Sequence, residues 1–193
     1  MTTQPVTVER LRGLAWPALL AGGLLLVLFA QVQWGSTDEG VEPSITGLGR
    51  VKILGASDDD VAFFFEDNTG SPGLSVVVLG AVIALVAAIA WWRPRLRPSA
   101  IGLIGLASVV VLVVGVRTLS DPAAHLFSDR VSEALDAELP DMQAGYGVIG
   151  TVVVAILLLA VVGFWVVSTM WPRGGAGRTE LNRTELNQND ESS

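Results

Sequence analysis

Two groups of residues in this chain have types that chemistry would need. His125 stands four residues after Asp121 and four before Asp129. On a helix, positions i and i+4 share a face, so an imidazole flanked by carboxylates is a conceivable general base. No nucleophile is spaced to be activated by it, and a solvated histidine is the expected state. Asp58, Asp59 and Asp60 offer oxygens to a hard cation, but three consecutive acids lack the spaced ligands and central glycine of a calcium loop. An acidic turn is expected there. A membrane haem needs axial histidines inside the bundle, and the one histidine lies outside every apolar run. With no cysteine, disulfides, thiolate nucleophiles, Fe–S clusters and thiolate zinc sites are excluded. There is no glycine-rich phosphate loop, no metal-spaced histidine pair and no basic stripe for nucleic acid. No catalytic, cofactor-binding or metal site is expected, and the chain is expected not to be an enzyme.

The elements that would have to position any such residues are dominated by hydrocarbon. Of 193 residues 51% are hydrophobic, and the mean hydropathy is +0.55, too apolar for an ordinary soluble domain. The apolar residues fall in four blocks, which predict transmembrane helices over residues 14–34, 74–92, 100–117 and 146–171. At about 1.5 Å per residue, uncharged runs of this length span close to the roughly 30 Å of a bilayer core. Pro17 is expected in the first turn of helix one, where its missing N–H costs nothing. Leu28 is too large for the minus-three position of a signal-peptidase site after Leu28-Phe29-Ala30, so the first helix is expected to be retained.

Between these blocks lie polar segments of opposite character. Residues 35–73 carry eight acids against Arg50 and Lys52, a net −6. Two strand-like pieces, residues 50–55 and 61–66, flank the acidic turn at residues 56–60 and predict a small β-hairpin. Phe63, Phe64 and Phe65 would then occupy both faces of one strand, against protein or lipid. Residues 118–145 carry six acids against Arg130, a net −5. They predict an amphipathic helix from a capping acid at Asp121 to a stop at Pro140, with Phe127, Val131, Leu135 and Leu139 on one face. The turn at residues 93–99 holds Arg93, Arg95 and Arg97 between Trp91-Trp92 and Pro98. The tail, residues 172–193, repeats Arg-Thr-Glu-Leu-Asn at residues 178–182 and 183–187 and is too polar to order by itself.

Charge fixes the expected orientation. Eight of the twelve cations (Arg10, Arg12, Arg93, Arg95, Arg97, Arg173, Arg178 and Arg183) fall on one side of the four-helix arrangement, and fourteen of the nineteen acids fall on the other. Short arginine-rich loops stay cytoplasmic. The expected architecture is thus an all-α, multi-pass plasma-membrane protein with both termini cytoplasmic and two acidic outer loops. No ionisable residue interrupts the helix cores, which argues against an ion-coupled transporter. Gln31 and Gln33 lie near the outer end of helix one, Arg117 is expected to anchor at the outer surface near Asp121, and Ser75, Ser108, Thr151, Ser168 and Thr169 are expected to bond back to their own helices. Small residues recur at four-residue spacing at Ala18 and Gly22, at Gly80, Ala84 and Ala88, and at Gly147, Thr151 and Ala155. Such ridges pack helices closely, within one bundle or against another membrane protein.

With helix order, the β-like piece Val51-Lys52-Ile53-Leu54-Gly55-Ala56 and a helical second loop ending at Pro140, residues 12–171 resemble the actinobacterial tryptophan-operon-associated membrane proteins. That resemblance implies four helices with two outer loops. It carries no reaction onto any position, because the family has no established catalytic residues. One lysine against eleven arginines fits a GC-rich actinobacterial genome. In size and topology the chain is also similar in type to the small accessory subunits around the actinobacterial cytochrome bcc-aa3 supercomplex, which hold no cofactor. This likeness implies a non-catalytic accessory or assembly subunit whose partners are other integral membrane proteins. A stand-alone protein binding lipid or a small molecule, or an enzyme using its outer loops, is the alternative.

Overall fold

The structure, a computed structural model, describes residues 6–36, 44–52, 70–122 and 143–170, with side chains from residue 13 onward. Four helices carry it: α1 (Val6–Phe29), α2 (Pro72–Trp92), α3 (Arg97–Ser120) and α4 (Tyr146–Met170). A single 3-10 turn, Pro94–Leu96, joins α2 to α3. Four short strands, β1 (Gln33–Ser36), β2 (Ser44–Thr46), β3 (Val51–Lys52) and β4 (Gln143–Ala144), form one antiparallel sheet in the order β3-β2-β1-β4. The chain forms two compact units, Met1–Val162 and Gly163–Ser193, whose boundary falls within α4.

The first helix differs from its expected span of 14–34 at both ends. It begins by Val6, so Pro17 lies in its interior rather than in its first turn. Proline removes one hydrogen bond from the helix there. At the other end α1 stops at Phe29, and Gln33 and Trp34 belong to strand β1. The reason is visible in the last four carbonyls, which no helix can satisfy from within itself. Leu26 O accepts from the Ala30 N–H (3.1 Å) and Leu28 O from the Gln31 N–H (3.0 Å). Val27 O accepts from Gln31 Nε2 (3.2 Å) and Phe29 O from the Trp34 indole Nε1–H (2.9 Å). Every orphan acceptor of the last turn is therefore filled from residues 30–34, and continuing the helix would withdraw those donors.

Trp34 reaches back because β1 is bulged. Gln33 pairs with Thr46 and Gly35 with Ile45, so Trp34 is the extra residue on its strand. A bulge bends the strand and re-aims one side chain, and here it turns the indole into the protein, where it is fully buried. Glycines make the pocket. A Cβ on Gly47 would lie 2.6 Å from the indole Cε2, and one on Gly147 would lie 2.7 Å from its Cδ1. Backbone bonds tie the sheet to the other helices: the Gly73 N–H donates to Gly47 O and the Gly145 N–H to Trp34 O, each at 2.7 Å. One end of the bundle is thus closed by a sheet that binds the C-terminus of α1 and the N-termini of α2 and α4.

The described hairpin joins β2 to β3 through Gly47-Leu48-Gly49. Gly49 adopts φ 78°, the left-handed conformation that glycine accepts without steric cost. The expected strand at 50–55 is thus present over Val51–Lys52, paired with Ser44–Thr46. The expected partner at 61–66, the three phenylalanines and the acidic turn at 56–60 lie outside the described residues, as do the amphipathic helix expected between Asp121 and Pro140 and the polar tail.

Helix packing uses the small residues internally. Gly23 of α1 meets α2 backbone to backbone: a Cβ there would sit 2.7 Å from both Ala84 N and Gly80 O. In turn Gly80 faces Gly23 O at 2.8 Å. Gly22 meets the Leu158 side chain and Gly115 the Val152 side chain, so beyond its first turn, where Gly147 meets the backbone of Gln33 and Phe29, α4 is held at these glycines through side chains. With Gly147 against Trp34, the ridges read from the sequence are largely consumed within this chain; Ala18 is exposed. Gly102, by contrast, has nothing within 4 Å of its would-be Cβ.

Gly23→Ala forces the α1–α2 pair apart, because backbone cannot move aside as a side-chain end can. A loss of about 1–3 kcal/mol is expected, read as a lowered unfolding midpoint in detergent, while Gly102→Ala leaves the midpoint unchanged. Trp34→Phe strands the Phe29 carbonyl and is expected to cost about 1–3 kcal/mol. Trp92→Phe, at a ring that is 87% exposed, is its silent control in the same measurement.

Candidate functional site

At the end of the bundle away from the sheet, the chain reverses through residues 93–97. Two prolines shape the turn. Pro94 opens the 3-10 helix and Pro98 is the second residue of α3, both positions where a missing N–H removes no helical bond. The Arg93 N–H donates to Ile89 O (2.8 Å) and the Leu96 N–H to Arg93 O (3.0 Å), so α2 ends and α3 begins with almost no intervening chain.

The three arginines of this turn have different surroundings. Arg97 is half-buried: its Nε–H donates to Ala90 O at 3.4 Å, and its guanidinium carbon lies 5.6 Å from the centroid of the Trp16 ring. A guanidinium over an indole face within about 6 Å is a favourable cation–π geometry, and Trp16 is only 2% exposed. Arg97 therefore fastens the start of α3 to both α2 and α1. Arg93 and Arg95 are exposed and make no side-chain hydrogen bond or ion pair among the described residues. From residue 68 to residue 120 the sequence contains no acid. The carboxylates nearest along the chain are Asp67 and Asp121. Trp91 and Trp92, 48% and 87% exposed, stand immediately before the turn.

Polar side chains within the helices are spent locally. Ser75 donates to Pro72 O (2.6 Å), Ser108 to Ile104 O (2.8 Å), and Thr151 to Gly147 O (2.9 Å). In the second unit Ser168 donates to Trp165 O (2.9 Å) and Thr169 to Val166 O (3.0 Å). All five behave as the sequence predicts. Thr118, also buried, donates to Val114 O at 3.0 Å. Arg117 is exposed, and its contact with Asp121 is through the backbone, where the Asp121 N–H donates to the Arg117 carbonyl at 3.2 Å.

Of the groups weighed for chemistry, Asp121 is described, as the exposed residue after α3. His125, Asp129 and Asp58 to Asp60 lie outside the described residues. Among the described residues no three His, Asp or Glu side chains gather as a metal site would require. No family model matches this chain, and no curated protein or solved structure matches it either.

Sequence reasoning placed the three arginines on one turn but did not separate them. The signal for doing so was Trp16, an aromatic ring on α1 whose face can receive a cation arriving from α3. Arg97→Gln removes the cation and its stacking plane, and a fall in stability of about 0.5–2 kcal/mol is expected. Thermal unfolding in detergent reads it, with Arg93→Gln and Arg95→Gln leaving the midpoint in place.

Proposed function

We propose that this chain is a plasma-membrane protein whose four helices cross the bilayer with both termini cytoplasmic. In this reading it serves as a non-catalytic accessory or assembly subunit of a larger membrane complex. The observation that carries the membrane reading is the outward face of the helices. Three helical stretches, Pro72–Trp92, Pro94–Ser120 and Tyr146–Met170, are long and apolar enough to cross a bilayer. Away from the helix ends their exposed positions carry apolar side chains such as Leu85, Leu106, Val113 and Leu157. In water such a surface would be an aggregation hazard; in hydrocarbon it is at equilibrium with its solvent. The apolar part of α1, Gly13–Phe29, is shorter, and the hydrogen-bonded cap at its end suits a helix that finishes near a membrane surface.

The accessory role is supported by how the buried polar groups are used. Ser108, Thr118 and Thr151 each satisfy their own helix, leaving no chain of polar side chains among the described residues for an ion or substrate to follow. Since the glycine ridges are occupied at home, a partner would meet the outward apolar faces or the acidic loops. A net −6 over residues 35–73 and −5 over residues 118–145 would favour a basic extracytoplasmic partner. The actinobacterial cytochrome bcc-aa3 supercomplex, with its c-type haem domains, is the assembly proposed.

Capture through the C-terminal tail in mild detergent, followed by mass spectrometry and a reduced-minus-oxidised visible spectrum, tests this. Co-eluting cytochrome subunits with their haem bands are expected. A colourless chain eluting alone overturns the accessory reading.

A further inference from the structure

Beside the arginine turn, α2 and α3 border an open groove of about 200 Å³. Val86, Ile89 and Ala90 form one wall, Ala100 and Leu103 the other, and Leu96 closes the end at the turn. Ser99 is the one polar residue on its edge, and its hydroxyl already donates to Leu96 O at 3.0 Å. The groove therefore offers hydrocarbon and no unsatisfied donor. Its volume is below the roughly 300–1,000 Å³ of pockets that enclose compact small molecules. A single extended apolar chain suits its size and open side.

What distinguishes this groove from any other crevice between helices is its mouth. Arg93 and Arg95 flank Pro94 on the turn that carries Leu96, and both residues are exposed without an anionic partner among the described residues. Arg97, third in the series, is held by Ala90 O and Trp16, so the turn that carries the two others is fixed. Exposed Trp91 and Trp92 put aromatic rings at the same level, the position such rings take beside lipid headgroups. A dry slot beside a turn that bears two exposed cations matches a molecule with a fatty chain at one end and a phosphate at the other. Basic sites between helices at the cytoplasmic surface bind anionic headgroups in this way.

We infer that the α2–α3 groove is a binding site for an anionic phospholipid, one acyl chain lying along Val86, Ile89 and Leu103 and the phosphate meeting Arg93 and Arg95. The inference rests on the membrane reading above but not on the accessory role. It assigns the two arginines a ligand-binding task in addition to setting orientation.

The full chain, expressed in membranes, is first extracted with alkaline carbonate. A chain that washes off overturns the membrane reading and this site with it; retention in the pellet leaves the site to stand or fall separately. The retained chain, purified in mild detergent, is then titrated with phosphatidylglycerol and, in parallel, phosphatidylcholine, with bound lipid counted by native mass spectrometry. A preference for phosphatidylglycerol is expected. In the Arg93→Gln/Arg95→Gln double variant that preference falls by roughly 30-fold at low ionic strength, given what a cation is worth beside an anionic surface. Ser99→Trp, at an exposed position on the groove edge, fills the slot and lowers occupancy by both lipids at an unchanged unfolding midpoint. Equal binding of the two lipids by the wild-type chain overturns the inference, as does a preference that survives the double variant. If Ser99→Trp unfolds the chain, the double variant alone decides.

Discussion

The indole of Trp34 is the constraint on which the described architecture turns. A helix in hydrocarbon can satisfy its interior backbone but not its last turn, and those carbonyls must meet donors from elsewhere. Here the donors come from the next five residues, the farthest being the ring N–H of Trp34 directed at Phe29 O. That single requirement dictates a bulge in β1, which orients the ring, and glycine at 47 and 147, which leaves room for it. The sheet follows from the same requirement, because the bulged strand must pair on both edges, with β2 and with β4, to satisfy the rest of its backbone.

The two ends of the bundle solve the same physical problem by different means. At the sheet end, backbone groups are satisfied by strands and a buried indole, with Ser44 and Arg50 adding only peripheral bonds. At the turn end there is no extra structure at all. Two prolines remove N–H groups that would have lacked partners, and a half-buried arginine takes the carbonyl of Ala90. One end is built around a neutral aromatic donor and the other around cations, so the molecule is chemically polarised along its helices even apart from the acidic segments.

Much of this was legible in the sequence because hydrocarbon imposes a simple code. Uncharged runs locate α2, α3 and α4 within a few residues, and the hydroxyl side chains bond to the preceding turn because no competing donor or acceptor lies nearby. The end of α1 was not legible. Gln31, Val32, Gln33 and Trp34 suit the end of a membrane helix by composition, and only the bulged pairing of Gly35 with a segment about ten residues later reveals the strand. β4 is harder still, since Gln143 and Ala144 carry no strand signal and owe their conformation to β1. The glycine ridges were read at the right positions for Gly22, Gly80 and Gly147. The backbone-to-backbone contact of Gly23 with Gly80 was missed, since four-residue spacing says which residues share a face but not which neighbour meets it. The arginine turn was plain as a charge signal, while the groove beside it depends on how α2 and α3 pack, which periodicity does not encode.

The sheet also imposes an order on the chain's own synthesis. Its strands β1, β2 and β3 emerge early, within the stretch between α1 and α2, but β4 follows only after α2 and α3 have been made. Gly35 must wait for Ala144, about a hundred residues downstream, before its second edge is paired. Until then β1 presents an open row of backbone groups beside a half-finished bundle, a state with the template-like hazard of any unprotected strand. Closure by β4 coincides with the arrival of α4, so the last of the described helices to be made is also the one that seals the cap. A nascent chain interrupted before residue 143 would hold three helices and an unsealed edge, and quality-control proteases would meet it as an unfinished molecule.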